Sequence, residues 1–127
     1  MIRQEFHVEE YWKVVVYWNI DHSLFDFIKQ ELLREGFSFE VLEEVEENLR
    51  GKNAKAATIS NVGKHVSYVL FNRHKEKIDY INSVVHECVH VKQAMLEAYD
   101  VEDRGEAPAY TMGYLVGKMY GVLKQLL

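Results

Sequence analysis

The chain has 127 residues, of which 48% are hydrophobic and 13% aromatic, and a net charge of −5 at pH 7. This length and apolar content predict a single domain, residues 1–127, with a buried core and no second domain. The acidic balance, without a strongly basic patch, argues against nucleic acid as a partner.

The cellular location is predicted from cysteine usage and from the ends of the chain. One cysteine cannot form an internal disulfide, and the first residues lack the apolar core of a secretory signal, so we expect a cytoplasmic protein. The most membrane-like segment, residues 107–127, is interrupted by Lys118 and Lys124. It is interpreted as a buried helix with no membrane partner, and a tail anchor is the alternative.

The N-terminal half predicts a strand followed by two helices. Residues 11–18 are aromatic and β-branched on both alternating faces, which indicates a strand covered on two sides. Asp21 and Ser23 offer caps for a helix that ends near Gly36. A second short helix has an acidic solvent face and apolar residues at helical spacing, namely Phe39, Leu42, Val45 and Leu49.

The C-terminal half predicts a hairpin followed by two longer helices. The hairpin joins residues 58–60 to residues 65–71 through a turn at residues 61–64. The helices are expected at about residues 78–99 and 105–126. The order strand, helix, helix, hairpin, helix, helix predicts an α+β fold with a small, mostly antiparallel sheet at one side of the helices.

The segment His86-Glu87-Cys88-Val89-His90 carries the chemistry. On a helix, His86 and His90 project from one face a turn apart, so both imidazoles can bind one metal ion. Glu87 lies beside them and can act as general base toward a water molecule that zinc activates at neutral pH. Random placement of 6 His and 15 Glu can also produce such a motif, so its setting matters.

The setting of the motif agrees with a metal site. The predicted helix carries a polar stripe that includes both histidines, and an opposite apolar stripe. The polar stripe is Asp79, Ser83, His86, His90, Gln93 and Glu97, and the apolar one is Ile78, Ile81, Val85, Cys88, Val89 and Leu96. Asp79 and Gln93 could hydrogen-bond the free imidazole nitrogens.

A catalytic zinc needs a third protein ligand, and Glu106 on the next helix is the first choice. Glu102 is the alternative, and Glu97 is excluded because it lies about 10 Å along the helix from His90. Glu106 could instead close a capping box with Asp103. A ligand role is favoured because glycines at every fourth position extend the face of Glu106 and would let the histidine helix approach; they are Gly113, Gly117 and Gly121.

Three further residues near the motif have simpler interpretations. Cys88 is turned away from the metal face and is expected to be a buried, inert thiol. Tyr110 and Tyr114 could stabilise an oxyanion, but core packing is the first interpretation for both.

His86, Glu87, His90 and Glu106 together resemble the zincin-type metallopeptidases, in the Glu-zincin branch where a glutamate from a later helix completes the site. The resemblance covers about residues 68–114. It implies a zincin-like fold, zinc as cofactor, and a sheet whose edge strand, expected at residues 66–71, borders the cleft and can pair with an extended peptide. The chain is similar to minimal Glu-zincin domains, which lack a second substrate-binding lobe.

The resemblance therefore implies a zinc metallopeptidase with a peptide or protein substrate, Glu87 as catalytic base, and His86, His90 and Glu106 as metal ligands. The motif alone leaves iron, cobalt or nickel open as the metal. A peptide deformylase is rejected because its metal-binding cysteine comes from a separate motif. Two alternatives remain: a zincin-fold regulatory or protein-binding module with a latent or structural metal, and a metal-dependent hydrolase of a non-peptide amide.

Overall fold

The computed structural model describes residues 1–51 and 54–127. In this part of the chain there are four strands and four helices, with single turns of 3-10 helix at His22–Leu24 and Val62–Lys64. In chain order the elements are β1 (Ile2–Val8), β2 (Trp12–Trp18), α1 (Phe25–Arg34), α2 (Phe39–Arg50), β3 (Ala56–Asn61), β4 (Val66–Phe71), α3 (Lys77–Tyr99) and α4 (Glu106–Leu126). All the predicted helices, the predicted strand and the hairpin are therefore confirmed.

The four described strands form one small mixed sheet in the order β1, β2, β4, β3. β1 pairs antiparallel with β2, and β3 pairs antiparallel with β4, with Ala56 opposite Phe71. β2 and β4 are parallel neighbours, with Val16 next to Val69. The predicted α+β class is confirmed, and the sheet is mixed because the chain returns to β2 in parallel after α1, α2 and β3.

Helices cover both faces of the sheet, which corrects the prediction of a sheet at one side of the helices. Alternate residues of β2, including Trp12 and Val14, join the core formed with α3 and α4. Val15 and Tyr17, which point to the opposite face of the sheet, join a second core with α1 and α2. The aromatic and β-branched run of β2 therefore reflects a strand buried on both faces, as predicted.

The prediction that residues 66–71 form the edge of the sheet was wrong. β4 lies between β2 and β3, and all six of its residues are buried. The open edge beside α3 is β3, whose residues are all partly exposed. A hairpin pattern identifies two paired strands but does not show which one gains a further neighbour, and here the parallel pairing with β2 covers β4.

β1 was missed by the sequence-based prediction. Its only buried residues are Phe6 and Val8, and its other positions are polar or exposed, so the segment has no strong strand pattern. The strand is held in place by long-range pairing with β2 and by contacts to α4, where the Gln4 side chain donates to the Lys118 carbonyl.

A carboxylate on α1 ties the second core together. Glu31 accepts hydrogen bonds from Arg3 of β1, Tyr17 of β2 and Tyr68 of β4. Burial by itself raises the pKa of Glu31, but these hydrogen bonds outweigh it and lower the pKa to about 2. Glu31 therefore remains charged at neutral pH and links three strands to one helix.

The buried face of α3 differs from the predicted apolar stripe. It consists of Tyr80, Val84, Glu87, Cys88, Val91, Ala94 and Met95. Ile78 and Val85, which were expected to be buried, are exposed. The predicted polar stripe does face outward, so the histidines lie on the surface of α3 and Glu87 lies at the boundary of the core.

α4 contributes one face to the core through Leu115, Met119 and Leu123. In the described residues, none of the helices has the length and apolar character needed to span a membrane.

Candidate metal centre

The two histidines of the motif lie one turn apart near the middle of α3. Their Nε2 atoms are 3.3 Å apart, and 69% of the His86 side chain is exposed. Two nitrogen ligands at about 2.0–2.1 Å from one zinc ion, separated by a tetrahedral angle, lie about 3.3–3.4 Å from each other. The spacing of the imidazoles is therefore suited to binding one ion.

Glu87 is held beside the histidines by the edge strand. Its carboxylate is almost fully buried, and its Oε1 atom accepts a hydrogen bond of 2.9 Å from Thr58 Oγ1 on β3. Its Oε2 atom lies 3.9 Å from His86 Nε2. One carboxylate oxygen is thus anchored, while the other lies on the side of the histidines, where it can accept a proton from a water molecule.

A cleft of about 440 Å³ opens between β3 and the N-terminal half of α3. Its lining includes Ala56 on the strand side, and Asn82, His86 and Glu87 on the helix side. The cleft therefore borders both the proposed base and one of the proposed metal ligands, and gives a substrate a path to them.

The edge strand turns some of its backbone groups away from β4, and one of these residues, Ala56, lines the cleft. The Asn72 amide donates to the Lys55 carbonyl, so Lys55 and Asn72 form a hydrogen-bonded pair. In an antiparallel ladder such pairs recur at every second residue, so every second residue of β3 after Lys55 bonds to β4. Ala57 and Ile59 are therefore bonded to β4, and the peptide groups of Ala56, Thr58 and Ser60 point away from it. Among residues 1–51 and 54–127 they have no backbone partner, and such strand groups are of the kind that an extended peptide can bind.

A third metal ligand is not assembled beside the histidine pair. Among residues 1–51 and 54–127, no group of three or more His, Cys, Asp or Glu side chains is positioned to hold a metal ion. Glu106 lines a separate cavity of about 650 Å³ with Tyr99 and Val8. Glu102 is exposed and pairs with Arg104 at 2.7 Å.

Helix packing explains why Glu106 is remote from the pair. Cys88 of α3 contacts Met119 of α4, with sulfur atoms 3.6 Å apart, and Glu106 precedes Met119 by 13 residues, or about 20 Å along the axis. His90 is two residues beyond Cys88, about 3 Å toward that end. An axial offset of about 17 Å remains, so in this packing Glu106 cannot share an ion with His90, and its role as ligand stays a prediction.

The glycine argument for Glu106 was wrong. A methyl group added at Gly113, Gly117 or Gly121 would meet no atom within 4 Å, so these glycines face open space and not α3. The alternative capping box is not formed either. α4 begins at Glu106 with Gly105 as its N-cap, and Asp103 instead pairs with Lys92 at 3.0 Å.

Cys88, Tyr110 and Tyr114 were the other residues considered near the motif, and among the described residues none of them forms a hydrogen bond with the histidine pair. Cys88 is buried, as predicted, and burial raises the pKa of its thiol to about 12, which makes it unreactive. The Tyr114 hydroxyl donates to the His7 carbonyl, while Tyr110 is exposed and lines the same cavity as Glu106. Tyr114 packs against the core, as the first interpretation expected, whereas Tyr110 is exposed, which corrects that interpretation for Tyr110.

Asp79 and Gln93 were considered as groups that could hydrogen-bond the free imidazole nitrogens. Asp79 instead forms an ion pair with Lys55 at 3.2 Å and lines the cleft. Gln93 is exposed, and in the part of the chain that is described its side chain makes no hydrogen bond to either histidine.

Two functional candidates, Thr58 and Lys55, were missed by sequence reasoning. The side chain of Thr58 positions Glu87, and Lys55 lies at the start of β3 beside the cleft. The only sequence signal was the strand alternation, in which Ala57 and Ile59 face the second core and Thr58 therefore faces α3.

The chain was also compared with protein-family models, with curated proteins and with solved structures, and none of them matches it. The site is therefore interpreted from its own geometry.

Proposed function

We propose that the chain is a zinc-dependent metallopeptidase of the zincin type. The observation that carries this proposal is the spacing of 3.3 Å between the Nε2 atoms of His86 and His90, with the anchored carboxylate of Glu87 next to them. Two exposed imidazoles at tetrahedral spacing beside a fixed base form the core of a hydrolytic metal site.

In this proposal His86 and His90 hold the ion through their Nε2 atoms. When bound, zinc polarises a carbonyl group and lowers the pKa of a coordinated water molecule to near 7. Glu87 accepts the proton of the attacking water and can pass it to the leaving amine. Thr58 keeps the carboxylate of Glu87 in place by its hydrogen bond of 2.9 Å.

The edge strand supports a peptide as the substrate. An extended chain paired with the free groups of Ala56, Thr58 and Ser60 would lie along the cleft, with its backbone beside Glu87. A third ligand is still required, and Glu106 remains the residue proposed from the sequence. It could reach the histidines only if α4 changed its packing on α3.

The test is the substitution Glu87→Gln. It keeps the size of the side chain and its hydrogen bond from Thr58 but removes the base. We expect one zinc ion per chain in both proteins by elemental analysis, and loss of peptide cleavage by at least about 100-fold in the variant. Cleavage at the wild-type rate would contradict the mechanism, and absence of zinc from the wild-type protein would contradict the metal site.

A second function is favoured by the incomplete ligand set. With only two ligands assembled among the described residues, the fold could serve as a protein-binding module whose metal is latent or structural. The cleavage screen that accompanies the metal analysis distinguishes the two functions. Bound zinc with no cleavage of a mixed peptide pool by wild-type protein would favour the binding module.

A further inference from the structure

A further cavity, which we call the cationic cavity, adjoins the cleft beside Glu87. Its volume is about 550 Å³. Ala54, Lys55 and Asp79 line both spaces, so the cleft and the cationic cavity adjoin at the Lys55–Asp79 ion pair.

Positive charge predominates in the cationic cavity. Among the described residues, four cationic side chains line it, Arg50, Lys55, Arg73 and Lys75, against two acidic ones, Glu76 and Asp79. Arg50 is bound to Glu46 and to the His22 carbonyl, and Lys55 is paired with Asp79. Arg73 and Lys75 have no ion-pair partner among the described residues, so they are the cations available to a ligand.

The two histidines of the cationic cavity differ in their hydrogen bonding. Both ring nitrogens of His74 are used, by the Asn72 carbonyl and by Ser83 Oγ, and burial lowers the pKa of His74, so that it is neutral at pH 7. His22 uses Nε2 toward Asn72, but its Nδ1 atom is buried without a hydrogen-bond partner in residues 1–51 and 54–127. Because Nε2 faces the acceptor Asn72 Oδ1 and carries the ring proton, Nδ1 is an acceptor; it can bind a donor such as a water molecule, and a carboxylate in this cavity is left to Arg73 and Lys75.

The lining also has an apolar part, formed by Ile20, Leu49 and Ala54. A ligand that suits this combination has a short aliphatic part and a carboxylate. Glutamate and aspartate side chains and the C-terminal carboxylate of a peptide share this chemistry.

The distance along β3 between Glu87 and the cationic cavity determines how far from the cleaved bond the carboxylate of a substrate would lie. Thr58 contacts Glu87, and Lys55, which lines both the cleft and the cationic cavity, precedes Thr58 by three residues. Three residues of extended chain span about 10 Å. On the basis of the proposed peptidase function, we propose that the preferred substrate carries a carboxylate about three residues from the cleaved bond, and that the cationic cavity binds it.

Cleavage profiling tests the preference in the active enzyme. Zinc-loaded wild-type protein is incubated with a peptide mixture from a digested proteome, and the cleaved bonds are identified by mass spectrometry. We expect Glu and Asp to be enriched at about the third residue on one side of the bond. A parallel mixture with amidated C-termini distinguishes the two sources of the carboxylate, because amidation removes cleavage only where the terminal carboxylate is the group bound.

Binding to the Glu87→Gln protein is measured separately from turnover. The probes are two fluorescein-labelled mixed hexapeptide pools that differ only in Glu or Gln at one position. We expect the Glu pool to bind about threefold to tenfold more tightly. The double substitution Arg73→Gln and Lys75→Gln should abolish this difference, whereas Lys124→Gln on α4 changes one exposed charge elsewhere and should preserve it.

The outcomes separate the cationic cavity from the peptidase activity. Cleavage without any acidic preference would overturn the assignment of the cationic cavity and leave the peptidase proposal standing. Selective binding of the Glu pool that depends on Arg73 and Lys75, without cleavage, would support the cationic cavity and count against the peptidase. Equal binding of the two pools would overturn the assignment.

Discussion

The Thr58 hydroxyl donates a hydrogen bond of 2.9 Å to Glu87 Oε1, and so joins the edge strand β3 to the histidine-bearing helix α3. Because Glu87 is nearly buried, this bond fixes the direction in which its second oxygen points. Strand and helix together therefore prepare the proposed base for proton transfer.

Thr58→Val should separate positioning of the base from metal binding. Valine has nearly the same shape but no hydroxyl, so Glu87 loses its anchor while His86 and His90 are untouched. We expect kcat for peptide cleavage to fall about tenfold, with zinc content unchanged. Thr58→Ser retains the donor and should recover most of the rate. A threonine that only fills space would give the opposite order, with valine as the milder change.

Ala56→Pro tests the open edge as the place where substrate binds. The Ala56 amide points away from β4, so proline removes a group offered to a peptide and leaves the ladder intact. We expect KM to rise about tenfold, the effect of one backbone hydrogen bond, with thermal stability nearly unchanged.

The matched control for the edge is Ala57→Pro. The Ala57 amide bonds to Leu70 of β4, so the same substitution one residue later should lower the free energy of unfolding by about 1–3 kcal/mol. If Ala56→Pro left KM unchanged while remaining folded, peptide pairing with β3 would be ruled out.

Glu106→Gln distinguishes the sequence-based ligand set from the packing in the structure. In this packing Glu106 lines the cavity beside Tyr99, so we expect zinc affinity in a competition titration to change less than about twofold. His90→Ala is the positive control and should abolish binding. A loss of tenfold or more in Glu106→Gln would mean that α4 repacks on metal binding and that Glu106 is the third ligand.

Glu31→Gln should lower the free energy of unfolding by an amount that depends on pH. The pKa of Glu31 falls from 4.5 to about 2 on folding, so its charged form stabilises the protein at neutral pH by roughly 1–3 kcal/mol after solvent screening. Because the folded-state pKa is the lower one, this contribution is complete above pH 4.5 and is lost as the pH falls toward 2.

Urea unfolding at pH 7 and at pH 3 measures this term. The difference between wild type and Glu31→Gln should shrink at the lower pH, whereas the exposed Glu44→Gln should show little difference at either pH. If the difference in free energy of unfolding between wild type and Glu31→Gln were the same at both pH values, a stabilising charge on Glu31 would be contradicted.

Local patterns account for most of the elements that the sequence predicted. Helical spacing located α1 to α4, and alternation with turn residues located the β3–β4 hairpin, because each of these signals depends on neighbouring residues alone. β1 was missed because only Phe6 and Val8 are buried in it, which is too weak a pattern without its partner strand.

By itself, the sequence determined the histidine pair, since a spacing of four residues on a helix brings two side chains together whatever surrounds them. Only the tertiary structure decided which strand forms the open edge, which side chain anchors Glu87, and how far Glu106 lies from His90. These relationships depend on the order of strands in the sheet and on the packing of α4 against α3. Residues that are distant in the sequence set them, and no local pattern along the chain records their positions.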